Sequence, residues 1–352
     1  SGSENVFIIN GINTTDPVTG TFGTNLNYNF IREMEVSTGG FEAEYGASTG
    51  GLFNVLTKSG TNEYHGEIFA YYTDQSFAAN RNSTDFTITK PEPYHSYDYG
   101  FGVGGPILKD RLWFYAGYNP TLSSQHHEGT YTVTNIFTGD QLHLPYKYDN
   151  LSRNWFWSTK LNWRVSDKHN LELALFGDPS HMWYNEGGFP YLDKQALMTR
   201  RYQGGFSAAL KWYSTWSSKL FTEVGLGKTH SILQITPWTH EGFGTPAIGS
   251  FNWSPVLALN SGSGTIYYDD RYNTQFDAKA SYILGRHEIK AGGNLEDLKW
   301  DDYSGFTGGA IYYVYFNKPG TDPLSPYLRD YNYYYRYSLQ NPRANEKGRY
   351  TA

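Results

Sequence analysis

Arg153-Asn154-Trp155-Phe156-Trp157-Ser158-Thr159-Lys160-Leu161-Asn162-Trp163-Arg164-Val165 decides how the chain is to be read. Trp155, Trp157, Leu161, Trp163 and Val165 fall on one side of an extended backbone, and Ser158, Lys160, Asn162 and Arg164 on the other. A period of two makes this a strand with one dry and one wet face. The pattern recurs over 272–282, where Tyr272, Phe276, Ala278, Ala280 and Tyr282 oppose Asn273, Gln275, Asp277, Lys279 and Ser281. It recurs again over 287–295, where Ile289, Ala291 and Leu295 oppose Glu288, Lys290 and Asn294.

Alternation alone also suits a soluble sandwich, so length and connection decide. Strands are predicted at 66–73, 98–104, 111–118, 153–165, 168–177, 201–213, 218–228, 271–283 and 286–297. Several run to about 11–13 residues, whereas a strand in a globular protein has roughly 5–6 and a tilted membrane crossing needs about 9–11. The links alternate in length. Short ones lie at 105–110, Ser166-Asp167, Ser214–Ser217 and Leu284-Gly285; long ones span 74–97, 119–152, 178–200, 229–270 and 298 onward. Short turns at one end and long loops at the other form the layout of an outer-membrane barrel, with the turns periplasmic and the loops outside. Tyr71-Tyr72, Trp113-Phe114-Tyr115, Trp155-Phe156-Trp157, Trp212-Tyr213 and Tyr267-Tyr268 fall near strand ends, where an interfacial girdle is expected. The fold class is therefore all-β, a transmembrane antiparallel barrel. Nine is an odd count and an open edge in lipid leaves backbone groups unpaired, so further strands are expected outside this sequence.

Composition agrees. Of 352 residues 18% are aromatic, with 32 Tyr and 38 Gly. That mixture favours strands with a wet face or wet end. No apolar run reaches the length of a membrane helix, which leaves strands to do the crossing. The chain has no Cys, which excludes disulfides and thiolate chemistry, and a net charge of −6 gives no sign of a nucleic-acid partner. Ser1-Gly2-Ser3-Glu4 is neither a signal peptide nor a lipidation site, so any export signal is expected to have been removed or to lie outside the sequence.

Residues 1–65 differ in character, with short apolar runs between Gly pairs, and read as a small domain of short strands and tight turns. Asn5-Val6-Phe7-Ile8-Ile9-Asn10-Gly11-Ile12 resembles the plug segment of TonB-dependent outer-membrane receptors, with Asn10 where Asp is common. Ile31-Arg32-Glu33-Met34-Glu35-Val36 resembles that family's I-E-x-I-E-V strand. Tyr45-Gly46, followed by Gly50-Gly51-Leu52-Phe53-Asn54-Val55-Leu56-Thr57-Lys58-Ser59-Gly60, resembles the closing stretch of the plug. Phe41-Glu42-Ala43-Glu44-Tyr45-Gly46 and Gly105-Pro106-Ile107-Leu108-Lys109-Asp110-Arg111-Leu112-Trp113-Phe114 are similar to the Oar-like branch, whose members carry a carboxypeptidase-regulatory-like domain.

The resemblance implies the second half of a luminal plug domain at 1–65, the first nine strands of a barrel of about 22 at 66–297, and an extracellular loop or the start of a further strand at 298–352. It implies plug residues Asn10, Gly11, Glu33, Glu35, Tyr45, Gly46, Gly50, Gly51, Asn54, Thr57, Lys58 and Gly60. It implies location in the outer membrane of a Gram-negative bacterium, with the lipid bilayer, a periplasmic TonB-type energy transducer and an extracellular substrate (peptide, protein, glycan or chelate) as partners. Accessory partner proteins are compatible with it. The expected activity is energised transport by displacement of the plug. The alternative is a structural, adhesion or secretion-assisting protein of the Oar-like type.

Plug and wall are expected to be held by polar contacts, with Arg32, Glu33, Glu35, Glu42 and Glu44 facing luminal Lys160, Arg164, Asp277, Lys279, Glu288 and Lys290. Substrate-contact candidates in the long loops are His126, His127, Trp183, Tyr184, Trp238, His240, Trp253, Tyr267 and Tyr268, since aromatic, His and amide groups suit sugar faces and peptide backbones. No catalytic residue, cofactor or metal site is expected. Gly-x-Ser-x-Gly and His-Glu-x-x-His are absent, and His126-His127 and the pairs Asp269-Asp270 and Asp301-Asp302 lack the spacing of a metal site.

Overall fold

The computed structural model describes residues 5–39, 50–77, 93–134, 141–184, 198–244, 247–250, 264–309, 311–315, 333–337 and 343–351. Four short strands come first: β1 (Val6–Ile9), β2 (Ile12–Asn13), β3 (Ile31–Ser37) and β4 (Leu52–Thr57). They form one sheet in the order β2-β1-β4-β3, with β1 and β4 parallel. Asn10 and Gly11 close the β1–β2 hairpin with φ of 50° and 76°. A two-residue hairpin with both central φ positive is a type I′ turn, for which Asn-Gly is the preferred pair.

The wall follows as β5 (His65–Asp74), β6 (Tyr94–Leu108), β7 (Leu112–Thr134), β8 (Gln141–Ser166), β9 (His169–Gly177), β10 (Ser180–Tyr184), β11 (Thr199–Thr215) and β12 (Leu220–Pro237). After the short helix α1 (His240–Gly244) and β13 (Ala247–Ser250), the wall resumes with β14 (Thr265–Leu284) and β15 (His287–Phe306). β16 (Ile311–Tyr315) and β17 (Tyr333–Tyr337) form a small sheet with β13, and β18 (Arg343–Thr351) pairs with β15 at the end of the wall. The wall is an 11-stranded sheet in which β9 and β10 occupy one position end to end between β8 and β11.

All nine predicted segments are wall strands, each antiparallel to the next. Their upper ends run well past the predicted limits, and this corrects the long loops. β7 and β8 pair without interruption from Leu112↔Trp163 to Thr134↔Gln141, so most of 119–152 is a two-stranded ribbon. β10 lies within 178–200, β12 reaches Pro237, β14 starts at Thr265, and β15 continues to Phe306. The dry–wet alternation marks only the part of a strand that has lipid on one side. Beyond the bilayer both faces meet water, and the ladder continues without a hydropathy signature.

Burial is the reverse of that in a soluble protein. Asn119, Ser158, Lys160, Ser207, Lys211, Asn273, Gln275, Asp277 and Glu296 are buried on the wall's inner face. Ile68, Phe101, Phe206, Val224, Leu226, Phe276, Ile289 and Leu295 are exposed on its outer face, Ile68 at 90%. A continuous apolar outer band of this kind is a lipid-facing surface. Aromatic residues bound it. Trp163, Trp212 and Tyr282 stand near the short turns; Trp155, Tyr202 and Tyr272 stand eight to ten residues further along the same strands. At ~3.3 Å per residue and ~40° tilt, ten residues rise about 25 Å, the height of an outer-membrane apolar band.

Candidate functional site: the interface between plug and wall

The β1–β4 sheet rests on the inner face of β7–β15, and the contacts begin at the Asn10–Gly11 turn. Asn10 Oδ1 accepts from Thr57 N and Thr57 Oγ1, both at 3.1 Å, and from Lys160 Nζ of the wall at 3.2 Å. Lys160 is also paired with Glu172 at 2.7 Å. Gly11 sits over a second wall lysine, since a Cβ there would lie 2.8 Å from Lys211 Cε. Lys211 is neutralised by Asp277 at 2.9 Å and Glu223 at 3.0 Å.

The segment after β2 supplies the next contacts. Asn13 N donates to Gln275 Oε1 at 2.9 Å, Gln275 returns a bond to the Asn13 carbonyl, and Asn13 Nδ2 donates to Glu296 at 3.2 Å. Asn25 gives its backbone N–H and its amide to Asp178 Oδ2 at 2.9 and 2.8 Å, while Asp178 Oδ1 accepts from Gly205 N at 2.9 Å. Thr24 and Ser207 hydroxyls meet at 3.2 Å. Asn27 donates to Asn119, whose own amide donates to Asp98 at 2.5 Å.

Among the described residues a buried ion pair also joins the two bodies, apart from the more exposed Lys58–Glu67 pair where the chain leaves the plug. Arg271 Nη1 donates to Asp16 Oδ2 at 2.8 Å, and the same guanidinium is held on its own strand by Asp269. Asp269 also accepts from Trp300 Nε1 at 2.9 Å and Tyr267 OH at 3.0 Å. Burial works against charge on Asp16. The Arg271 hydrogen bond and the backbone bonds from Thr19 and Val18 outweigh it, so the carboxyl titrates below its ordinary range.

Apolar contacts complete the seat, which corrects the expectation of a purely polar interface. Ile9 and Val55 of the plug bury against Phe176 of β9, and Ile12 against Ala174 and Ala209. Phe30 lies against Gly117, where a Cβ would come within 2.5 Å of its ring. The expected carboxylate partners are also corrected. Glu33 and Glu35 are exposed on the edge strand β3, and Asp277 turns to Lys211 within the wall. Asn13, Asp16, Thr24, Asn25 and Asn27 carry the contacts instead. Their only signal in sequence is the Asn/Thr density of 10–29.

The remaining plug positions organise the sheet and its exit. Gly51 N donates to Asn5 at 2.7 Å, following Gly50 into β4, where Asn54 pairs with Ile8 and Glu35. Lys58 pairs with Glu67 at 2.5 Å. Gly60 is pressed onto the wall, where a Cβ would lie 2.2 Å from the Phe114 carbonyl oxygen. Tyr45, Gly46, Glu42 and Glu44 lie outside the described residues, as does Trp253.

The loop candidates are corrected in placement. His126 and His127 are consecutive residues of β7 and face opposite ways, so they do not clip one ion. His126 bonds Asp149 at 2.6 Å on the outer side, while His127 stacks on Tyr148 at 4.7 Å on the inner side. Trp183 and Tyr268 lie on the outer face and Tyr184 and Tyr267 on the inner, by their alternation from Ser180 and Asp269. Trp238 follows β12 with its N–H on the Met198 carbonyl at 2.8 Å, and His240 is exposed at the start of α1.

A family model described as an outer membrane beta barrel domain matches residues 56–143 and 144–352. The TonB-dependent transporter Oar of Myxococcus xanthus is 28% identical over 88% of this chain and 36% of its own length. The probable TonB-dependent siderophore receptor PirA of Acinetobacter baumannii is 35% identical over 26% of this chain and 11% of its own length. Among solved structures, the outer membrane transporter YddB of Escherichia coli superposes with a TM-score of 0.63 at 15% identity, covering 99% of this chain and 45% of that one. The chain thus spans about a third of the length of the Myxococcus protein.

Proposed function

We propose that this chain, which belongs to the outer-membrane β-barrel domain family, forms the plug and the adjoining wall of a TonB-dependent receptor. The protein resides in the outer membrane of a Gram-negative bacterium. Substrate approaches from the ribbons above the bilayer. A periplasmic transducer then displaces the plug and opens a path along the inner face of the wall. The observation that carries this reading is the seat itself. A small sheet is held in the lumen by hydrogen bonds from Asn13, Asn25 and Asn27 and the buried Asp16–Arg271 ion pair, around a small apolar contact. Each net hydrogen bond contributes about 1 kcal/mol, so a seat built this way holds at rest and yields to modest work.

The chain has no Cys, which permits a single-cysteine test. Thr24 is fully buried between plug and wall. In whole cells, Thr24→Cys is expected to react with a membrane-impermeant maleimide only when the periplasmic transducer is present and the inner membrane energised. Equal labelling in cells lacking the transducer would remove the energised-displacement reading.

A further inference from the structure

Two arginines on the outer face of the wall have no acidic partner among the described residues. Arg153 lies on β8 and Arg200 on β11, with β10 between them. Alternation places both outward, since Asn154 bonds Ser180 on the inner face and Ser207 meets the plug at Thr24. Each stands two residues beyond an aromatic of the upper girdle, Arg153 beyond Trp155 and Arg200 beyond Tyr202. They therefore lie one step above the apolar band, at the level of the outer-leaflet headgroups.

The site is shaped by ring contacts. The Arg153 guanidinium lies over Trp183 at 5.1 Å from the ring centroid. His181 meets Tyr202 at 3.9 Å, Trp155 at 5.1 Å and Trp183 at 5.9 Å. In the strand register Arg153 stands opposite His181 and Arg200 opposite Trp183. Arg200 Nε is buried without a hydrogen-bond partner. Two guanidinium groups set on either side of one aromatic strand repel each other, and the buried Arg200 Nε donor is left unsatisfied. An anion bridging them resolves both, and a phosphate matches the planar fork of arginine.

We propose that Arg153 and Arg200, on the platform of His181, Trp183 and Tyr202, form a docking site for the phosphorylated headgroup of an outer-leaflet glycolipid. The lipid's acyl chains run down the apolar face below Trp155 and Tyr202, and its headgroup phosphate lies between the two arginines. This site is separate from the plug and independent of whether the plug moves.

The test uses the full chain purified in mild detergent and offered diphosphorylated lipid A, with retained lipid counted by native mass spectrometry. The unaltered protein is expected to retain phosphorylated lipid A at least about tenfold more strongly than the dephosphorylated form. Arg153→Gln with Arg200→Gln is expected to abolish that preference. Lys219→Gln, at a periplasmic turn, is expected to keep it. Heat-modifiable gel migration reports whether each variant has folded. Equal retention of the two lipid forms by the unaltered protein overturns the proposal without any variant. An unchanged preference in the folded double variant, or equal retention of phosphatidylglycerol, overturns it too.

Discussion

Arg271 is gripped from two bodies, by Asp269 on its own strand and by Asp16 from the plug. That asymmetry makes Asp16 the place to weaken docking without harming the wall. In Asp16→Asn the guanidinium keeps Asp269, while the plug loses its charged anchor. The expected cost to docking is about 1–3 kcal/mol. It is read as a lower urea midpoint for maleimide reaction at Thr24→Cys, with wall migration on gels unchanged. The pH response follows from the same pair. The folded carboxyl of Asp16 titrates below its ordinary value of 3.8. Its contribution is therefore fully present above that value and is lost as pH falls through the lower folded value. Hydrogen exchange at the plug, corrected for its intrinsic pH dependence, should stay slow at pH 5 and rise only in stronger acid, whereas a midpoint near pH 6 would assign docking to another group. Asn10 is the second such residue. It combines a positive φ, two bonds from Thr57 and one from Lys160. Asn10→Ala should cost about 2–4 kcal/mol through the strained backbone and the lost acceptor, measured by the same midpoint.

At the scale of elements, plug and wall meet where backbone approaches backbone. Gly60 leads the chain from β4 into β5 with no room for a methyl group against the Phe114 and Gly105 carbonyls, which cannot swing aside. Gly60→Ala should therefore shift the linker and lower the yield of folded barrel. Gly117→Val should leave β7 intact, since Val suits a strand, but expel Phe30 and raise protease sensitivity of the plug. These contrasts also explain what the sequence made legible. Trp155, Trp163, Tyr272 and Tyr282 announced their strands because lipid on one side and plug or water on the other impose a strict period of two. The extension of β7 past Tyr118 was silent, because Asn119 to Thr130 carry no dry–wet alternation. His126 and His127 read as a loop pair for the same reason. The seat was harder still. Neutral side chains such as Asn13, Asn25 and Asn27 find partners more than ninety residues away, and no local spacing encodes such a match. The aspartate at 16, within Asp-Pro-Val-Thr-Gly, shapes a turn and is also an anchor: Asp16 Oδ1 caps Val18 and Thr19 while Oδ2 takes Arg271.

For the molecule as a whole, the direction of the strands decides how the plug responds to force. β1 and β4 are parallel, with Val6 beside Leu52 and Ile9 beside Val55. A pull entering before Val6 and resisted at Gly60 loads opposite ends of that pair, so the hydrogen bonds between them are stressed together in shear. Bonds loaded together resist far better than bonds opened one at a time. The contacts of the plug with the wall are spread over separate points, from Asn10 to Asn27, and are met in turn as the sheet tilts away. The sheet is thus expected to leave its seat before it comes apart. Pulling the protein by its N-terminal end from a lipid bilayer with a force probe distinguishes the two outcomes. A staple inside the plug, Glu35→Cys with Asn54→Cys across paired β3 and β4, should leave the first rupture unchanged. A tether across the seat, Thr24→Cys with Ser207→Cys where the hydroxyls meet at 3.2 Å, should abolish that rupture until the disulfide is reduced. If the internal staple abolished it as well, the plug would be unfolding strand by strand, and the sheet would not be the moving unit.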